Sequence, residues 1–192
     1  MLENVAKENI LNGIRKSYDN AGELIDEAEI LRDNQKWPRA YSLCQLAVEE
    51  FGKAHLLFQL LIDRYIDAEI DYREINRIFY KHQLKTSLSN EGLIARLTMF
   101  QEFSGTDSLN NFIENIQESN NQVRRLDKLK NESLYVSIIS NDFQSPNEII
   151  SQKDFENIYS TALLRQLVFQ FLSRISEKEL REVVKMLKEQ ES

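Results

Sequence analysis

The sequence predicts an all-α fold, an up-and-down helical bundle with additional C-terminal helices. The 192 residues include only five glycines and two prolines, whereas residues that favour helices are abundant. Apolar residues also recur at helical spacing through most of the chain. Because no internal repeat, low-complexity tract or linker interrupts this pattern, we expect residues 1–192 to form a single domain.

The N-terminal half predicts three helical segments. The first covers about residues 3–33, and the second begins at Pro38, whose fixed φ suits the first helical position, and extends to about Tyr65. The third, residues 71–103, keeps helical spacing throughout and is expected to break once, near residues 80–82.

A glycine-containing loop, "SGTDS", separates this half from a fourth helix over residues 109–136. The stretch "SIISNDFQSPNE" is predicted to be an irregular connection, because Pro146 should stop any regular element. Two capping-box patterns then start the last helices. Ser151 with Asp154 starts a helix that runs through Ile175, and the pattern at residues 176–179 starts the final helix.

The second helix carries polar residues beside an apolar stripe. Glu49 and Lys53 are predicted to lie on the far side of the helix and to pair with each other in solvent. Glu50 falls inside the apolar arc and His55 at its edge, where a carboxylate needs a partner. The stripe expected to face the core consists of Ala40, Cys44, Ala47, Phe51, Ala54, Phe58 and Ile62.

Composition excludes several classes of protein. The net charge of −7 argues against indiscriminate coating of nucleic acid, and the single cysteine, Cys44, leaves no disulfide framework or cysteine-rich metal site. The N-terminus lacks the apolar core of a secretory signal, and no apolar run is long enough to span a bilayer. Glu-x-x-His pairs, an H-E-x-x-H motif and glycine-rich phosphate loops are absent, so no metal and no cofactor is expected. We therefore expect a soluble, cytoplasmic protein without membrane contact.

One group of residues suits phosphodiester chemistry. Arg77, four intervening residues, His82 and then Lys85 combine a proton-transferring imidazole, a bidentate phosphate ligand and a further positive charge. In an unbroken helix Arg77 and His82 would point ~140° apart. They can converge only if the chain kinks between them or if two subunits combine. The alternative is an ordinary amphipathic helix with solvated cations.

A basic run near the end of the fourth helix is the best candidate for a nucleic-acid or partner contact. It comprises Arg124, Arg125, Lys128 and Lys130. The alternative is a solvated helix end, where cations interact favourably with the helix dipole.

Several segments together resemble the AbiV family of bacterial abortive-infection proteins, which belongs to the HEPN superfamily of helical bundles. They are "LIDEAEILRDNQKWPRAYSLCQLAVEEFGKAHLL", "HQLK", and "DKLKNESLYV" with a following "SP". The likeness runs from about Leu24 to Pro146, and "LAVEEFGKA" is its most specific part. The resemblance implies a HEPN-like bundle.

The resemblance also implies a function in phage defence. It implies a homodimer that arrests growth or translation in infected cells, acting on RNA or the translation machinery, with a phage protein as an expected activator. Many HEPN proteins are metal-independent ribonucleases with an Arg-x4–6-His motif, and Arg77 and His82 match that spacing. On this interpretation, Arg77, His82 and Lys85 are catalytic. Glu50 and Lys53 flank Gly52 as supporting residues, and Glu50 orients one of the three cations.

A non-catalytic interpretation stays open. Ribonuclease members usually carry a polar residue directly after the arginine, where this chain has Ile78, and AbiV-like sequences tend to be acidic after "LYV", where it has Ser137. The alternative is a binding module of the same fold that blocks translation or senses a phage protein without cleaving anything. A plain structural scaffold is the third hypothesis.

Overall fold

A long central helix, flanked by shorter ones, organises the fold. The computed structural model describes residues 1–104, 113–114 and 122–190. In chain order, after a 3-10 turn at Leu2–Asn4, the elements are α1 (Lys7–Asp33), α2 (Trp37–Ile66), α3 (Tyr72–Tyr80), α4 (His82–Ser104), α5 (Val123–Glu132), β1 (Ser137–Ile139), β2 (Asp142–Gln144), α6 (Pro146–Ile149), α7 (Gln152–Val168), α8 (Phe171–Arg174) and α9 (Glu177–Gln190). The predicted all-α bundle is confirmed.

Helix α2 lies at the centre and packs against α1, α4 and α7. Pro38 sits in its first turn, as predicted, and Asp67 in the left-handed conformation ends it. The predicted stripe is buried at Ala40, Cys44 and Phe51, but burial extends far beyond that stripe. Ser42, Gln45, Glu49 and Gly52 form a second, polar stripe that is equally buried. Because α2 has neighbours on several sides, it has almost no solvent face.

Gly52 permits a very close contact between α2 and α4. A Cβ atom at this position would lie 2.0 Å from the backbone oxygen of Lys85. Backbone cannot move aside as a side chain can, so only glycine fits. This contact fixes where the first turns of α4 lie along α2.

The predicted break in the third segment is also confirmed. Helix α3 ends at Tyr80, Lys81 adopts an extended conformation, and α4 starts at His82. The side chain of Asp71 caps α3 by accepting hydrogen bonds from the backbone N–H groups of Arg73 and Glu74. The break places His82 at the first residue of α4, directly beside α2.

The prediction of an irregular connection after α5 is wrong. It forms an antiparallel β-hairpin in which Ile138 pairs with Phe143. The two-residue loop, Ser140 and Asn141, has positive φ at both positions, the geometry of a type I′ turn. Pro146 does not stop regular structure, because it occupies the first turn of α6, where its missing N–H costs nothing.

Both predicted capping boxes are confirmed. In each, a serine side chain and the carboxylate three residues later satisfy the first turn, at Ser151–Asp154 for α7 and Ser176–Glu179 for α9. The first of these helices is shorter than predicted, since α7 ends at Val168 and α8 follows separately. Residues 105–108 of the predicted "SGTDS" loop, and residues 109–112 and 115–121 of the predicted fourth helix, lie outside the described residues. The described C-terminal part of that helix is α5, which ends at Glu132, four residues before the predicted end. In the part of the chain that the structure describes, no helix is long and apolar enough to cross a membrane.

Candidate functional site

A buried carboxylate joins three helices at the site. The side chain of Glu49 in α2 is only 2% exposed and contacts the side-chain nitrogens of one histidine and two lysines. Its Oε2 lies 2.5 Å from Nδ1 of His82 and 3.5 Å from Nζ of Lys85, both in α4. Its Oε1 accepts a hydrogen bond of 2.7 Å from Nζ of Lys130 in α5. Glu49 is therefore the centre of this cluster.

Local chain geometry explains why these side chains meet. The break at Lys81 brings His82 to the start of α4, and Lys85 follows three residues later on the same helix. The close contact between Gly52 and the backbone of Lys85 holds that turn against α2, three residues after Glu49. The cluster thus depends on the same contact that fixes α4 on α2.

A second carboxylate extends the cluster towards the surface. Asp127 lies 2.9 Å from Nζ of Lys130 and accepts a hydrogen bond of 3.1 Å from the Gln83 amide. Burial alone would raise the pKa of Asp127. The hydrogen bonds from Lys130 and Gln83, with the positive charges of Lys130 and His82, instead hold this pKa below its usual range. Asp127 is therefore ionised at neutral pH.

The charges of the cluster nearly cancel. Two carboxylates, Glu49 and Asp127, face two ammonium groups, Lys85 and Lys130, whose side chains are 8% and 7% exposed. Buried charges are tolerated when each is paired and hydrogen-bonded, as in this cluster. The two negative and two positive charges of these four groups therefore balance.

His82 is the member of the cluster that reaches solvent, with 55% of its side chain exposed. A carboxylate can only accept, so Nδ1 of the neutral ring carries the proton that it donates to Glu49. That tautomer leaves the Nε2 lone pair free to take a proton. A buried carboxylate behind an exposed imidazole is an arrangement suited to general acid–base catalysis.

Among the predicted catalytic residues, His82 and Lys85 come together and Arg77 does not join them. The Arg77 guanidinium donates hydrogen bonds of 2.6 and 2.5 Å to the Glu74 carboxylate on α3. Those hydrogen bonds hold the pKa of Glu74 below its usual range. The ion pair is exposed, with 57% of the Arg77 side chain accessible.

The glutamate that contacts the predicted catalytic residues is one position earlier in the sequence than predicted. Glu49, rather than Glu50, contacts His82 and Lys85, while Glu50 pairs with Lys53. The prediction that Glu49 and Lys53 pair in solvent is wrong. Lys53 instead places its ammonium 5.6 Å from the ring centre of Phe79 in α3.

The basic run divides between surface and interior. Arg124, Arg125 and Lys128 are exposed, and Lys128 lies 3.4 Å from Glu132. Lys130 is only 5% exposed, since its ammonium group bonds to Glu49 and Asp127. The first three residues therefore lie on the surface, whereas Lys130 is part of the cluster.

The sequence interpretation missed Glu49, Asp127 and Gln83. The available signal was the run of polar or small residues at helical spacing along α2, from Ser42 through Gln45 and Glu49 to Gly52. Such a stripe indicates a second packing face. Where the structure describes the chain, no group of three or more His, Cys, Asp or Glu side chains is placed to hold a metal ion.

His55, the other histidine, lies elsewhere. Its ring is mostly buried, stacks on Phe169 at 5.8 Å between ring centres and packs against Gly92. Burial, with a smaller effect of the Arg96 charge, lowers the pKa of His55 to about 4. The ring is therefore neutral at pH 7 and separate from the Glu49 cluster.

Comparison with protein families gives one match. The model of the HEPN family described as AbiV matches residues 9–166 of the 192. This range includes Glu49, His82, Lys85, Asp127 and Lys130. Comparison with curated proteins and with solved structures found no match.

Proposed function

We propose, since the chain belongs to the AbiV family of HEPN proteins, that it is an abortive-infection effector that arrests growth or translation in infected bacteria by cutting RNA without a metal. The observation that carries this proposal is the exposed His82 ring held through Nδ1 by the buried Glu49. A histidine that served only packing would not need a buried carboxylate behind a ring that is half in solvent.

The proposed reaction uses the ribose 2′-hydroxyl as the nucleophile. Nε2 of His82 removes the hydroxyl proton while the oxygen attacks the neighbouring phosphorus. The P–O bond to the 5′ oxygen breaks, that oxygen takes a proton from a water molecule as it leaves, and a 2′,3′-cyclic phosphate remains. The imidazolium formed on His82 is stabilised by Glu49. The cluster then carries one more positive charge beside the phosphate, where negative charge develops.

Arg77 supplies the phosphate contact in this proposal. Its ion pair with Glu74 is exposed, and water screens pairs of this kind so that they contribute little to stability. A phosphate can therefore replace Glu74 as the partner of the guanidinium at little cost. We further propose that two copies of the chain associate in the cytoplasm and combine their Arg77 and His82 side chains. Breaking this dimer should remove activity and leave helical content nearly unchanged.

The exposed basic residues of α5 suit the rest of the RNA. Arg124, Arg125 and Lys128 lie on the helix that also carries Lys130, so their charges flank the cluster. Contacts of this type are mainly with phosphates and contribute affinity without sequence preference. They are proposed to hold the RNA backbone, with the cleavage chemistry left to His82.

A second function is favoured by the hairpin. Ile138 and Phe143 form a cross-strand pair and are 67% and 72% exposed, and Tyr135 and Val136 just before β1 are also exposed. Exposed apolar residues in one place often mark a protein contact. The alternative proposal is a binding module that blocks translation, or senses a phage protein, through protein–protein contact and cleaves nothing.

One experiment separates the two functions. Bacteria would express the wild type, His82→Ala, or Lys81→Ala as an exposed neighbouring control, with and without phage challenge. Protein synthesis and the integrity of tRNA, rRNA and mRNA would be followed in parallel. We expect fragmentation of specific RNA in the wild type and the control, and none with His82→Ala. Arrest of translation with all RNA intact, and equally with His82→Ala, would support the binding module instead.

A further inference from the structure

A large groove opens on the molecule away from the Glu49 cluster. It has a volume of about 1120 Å³ and lies between α2, α4 and the C-terminal helices α8 and α9. Its walls are mainly apolar, and its main apolar side chains are Phe58, Ile62, Met99, Phe171, Ile175 and Val183. Known small-molecule sites are slightly smaller, at about 300–1,000 Å³, and are likewise apolar with a few placed polar groups.

Arg96 is the candidate anion-binding group of the groove. Its guanidinium lies 3.6 Å from the ring centre of Phe171, so the side chain is held in place against one wall. Burial lowers the pKa of Arg96. Arg96 has no hydrogen bond or ion pair with any residue in the described ranges. A half-buried guanidinium in this state is favourably placed to bind an anion.

The other charged groups favour an anion with a single negative charge. Asp63 and Glu179 also line the groove, and burial raises the pKa of Asp63. Glu179 is already engaged with the backbone N–H and hydroxyl of Ser176, and Arg174 lies at the exposed rim. Two nearby carboxyl groups disfavour a doubly charged phosphate more than a carboxylate.

We propose that this groove binds a monocarboxylate with a large apolar body. Its carboxylate accepts hydrogen bonds from Arg96, and its apolar part lies on the walls formed by α2, α4 and α8. His55 forms part of the same lining and is kept rigid by its stacking on Phe169. The site is independent of the RNA cleavage proposed above, because none of its residues belongs to the Glu49 cluster.

The test uses dodecanoate as the probe and the purified full chain, with binding measured by isothermal titration calorimetry below the micelle concentration. Dodecanol and dodecyl phosphate would be compared with it. We expect dodecanoate to bind most tightly, and Arg96→Met to weaken it at least tenfold while leaving dodecanol unaffected. Methionine keeps an apolar side chain against Phe171 and removes only the charged guanidinium group. Arg73→Met, at an exposed arginine on α3 outside the groove, is the matched control and should leave the binding of dodecanoate unchanged.

A second variant guards against binding elsewhere on the surface. Ala95→Trp, on the groove-lining face of α4, should fill space in the groove and abolish binding of both dodecanoate and dodecanol. The proposal is overturned if the wild type binds no probe, if dodecanol binds as well as dodecanoate, or if Arg96→Met and Ala95→Trp bind dodecanoate like the wild type.

Discussion

Replacing Glu49 with alanine is expected to lower the free energy of unfolding by about 3–5 kcal/mol, because it leaves Lys85 and Lys130 buried without their shared partner. Both ammonium groups are at least nine-tenths buried, so water cannot replace the carboxylate. Asp127 would still pair with Lys130, whereas Lys85 has no second carboxylate among the described residues. The measurement is urea unfolding followed by circular dichroism.

Glu50→Ala is the matched control for this change. It removes a carboxylate one position further along α2, from an ion pair with Lys53 whose side chains are 15% and 21% exposed. A more accessible pair at i,i+3 contributes about 1 kcal/mol or less. Equal losses of stability in the two variants would contradict the central place of Glu49 in the cluster.

Acidification is expected to destabilise the protein through His55. The pKa of this ring is about 4 in the folded chain, against 6.5 for the free side chain, because burial disfavours its charged form. Between these values the unfolded state binds a proton that the folded state does not, so stability falls as the pH falls from 6.5 to 4. A difference of 2.5 pKa units corresponds to about 3 kcal/mol.

The comparison that isolates this contribution is His55→Gln, which cannot titrate. Urea unfolding would be measured for both proteins at several pH values between 4 and 7.5. Carboxyl groups elsewhere affect both proteins alike, so the difference between the two curves reports His55. We expect the wild type to lose about 3 kcal/mol more than the variant over this range. Parallel curves would show that the ring is not held neutral by burial.

Much of the helical framework could be predicted from the sequence, because its signals are local. The apolar periodicity of α1, Pro38 at the start of α2 and the capping boxes at Ser151 and Ser176 each depend on residues within a few positions. The hairpin was missed because its turn is Ser140-Asn141, and not the Asn-Gly pair that most clearly indicates a type I′ turn. The capping box of α6, Ser145 with Glu148, is visible in the sequence, but the prediction treated Pro146 only as a helix breaker.

The site was predictable only in part, because the prediction from apolar periodicity assumed that α2 has a single buried face. On that assumption Glu49 falls on the solvent side and Glu50 in the apolar arc. Helix α2 is in fact surrounded, so its polar stripe is an interface with α4. Pairing of Glu49 with Lys130 joins residues 81 positions apart, and no local pattern contains that information. His82 and Lys85 were found because their chemistry is visible in a short segment.

The proposed chemistry requires that Glu49 holds His82 through Nδ1 and leaves Nε2 free for proton transfer. Long-range ¹H–¹⁵N NMR correlation identifies the nitrogen that carries the proton in a neutral imidazole, and a chain with two histidines is well suited to it. The His55→Gln variant shows which imidazole signals belong to His82. The Glu49→Gln variant tests whether the Glu49 carboxylate favours the proton on Nδ1 of that ring. We predict that neutral His82 carries its proton on Nδ1 in the wild type and that Glu49→Gln weakens this preference. A proton on Nε2 in the wild type, unchanged by Glu49→Gln, would show that Glu49 does not set the tautomer of His82.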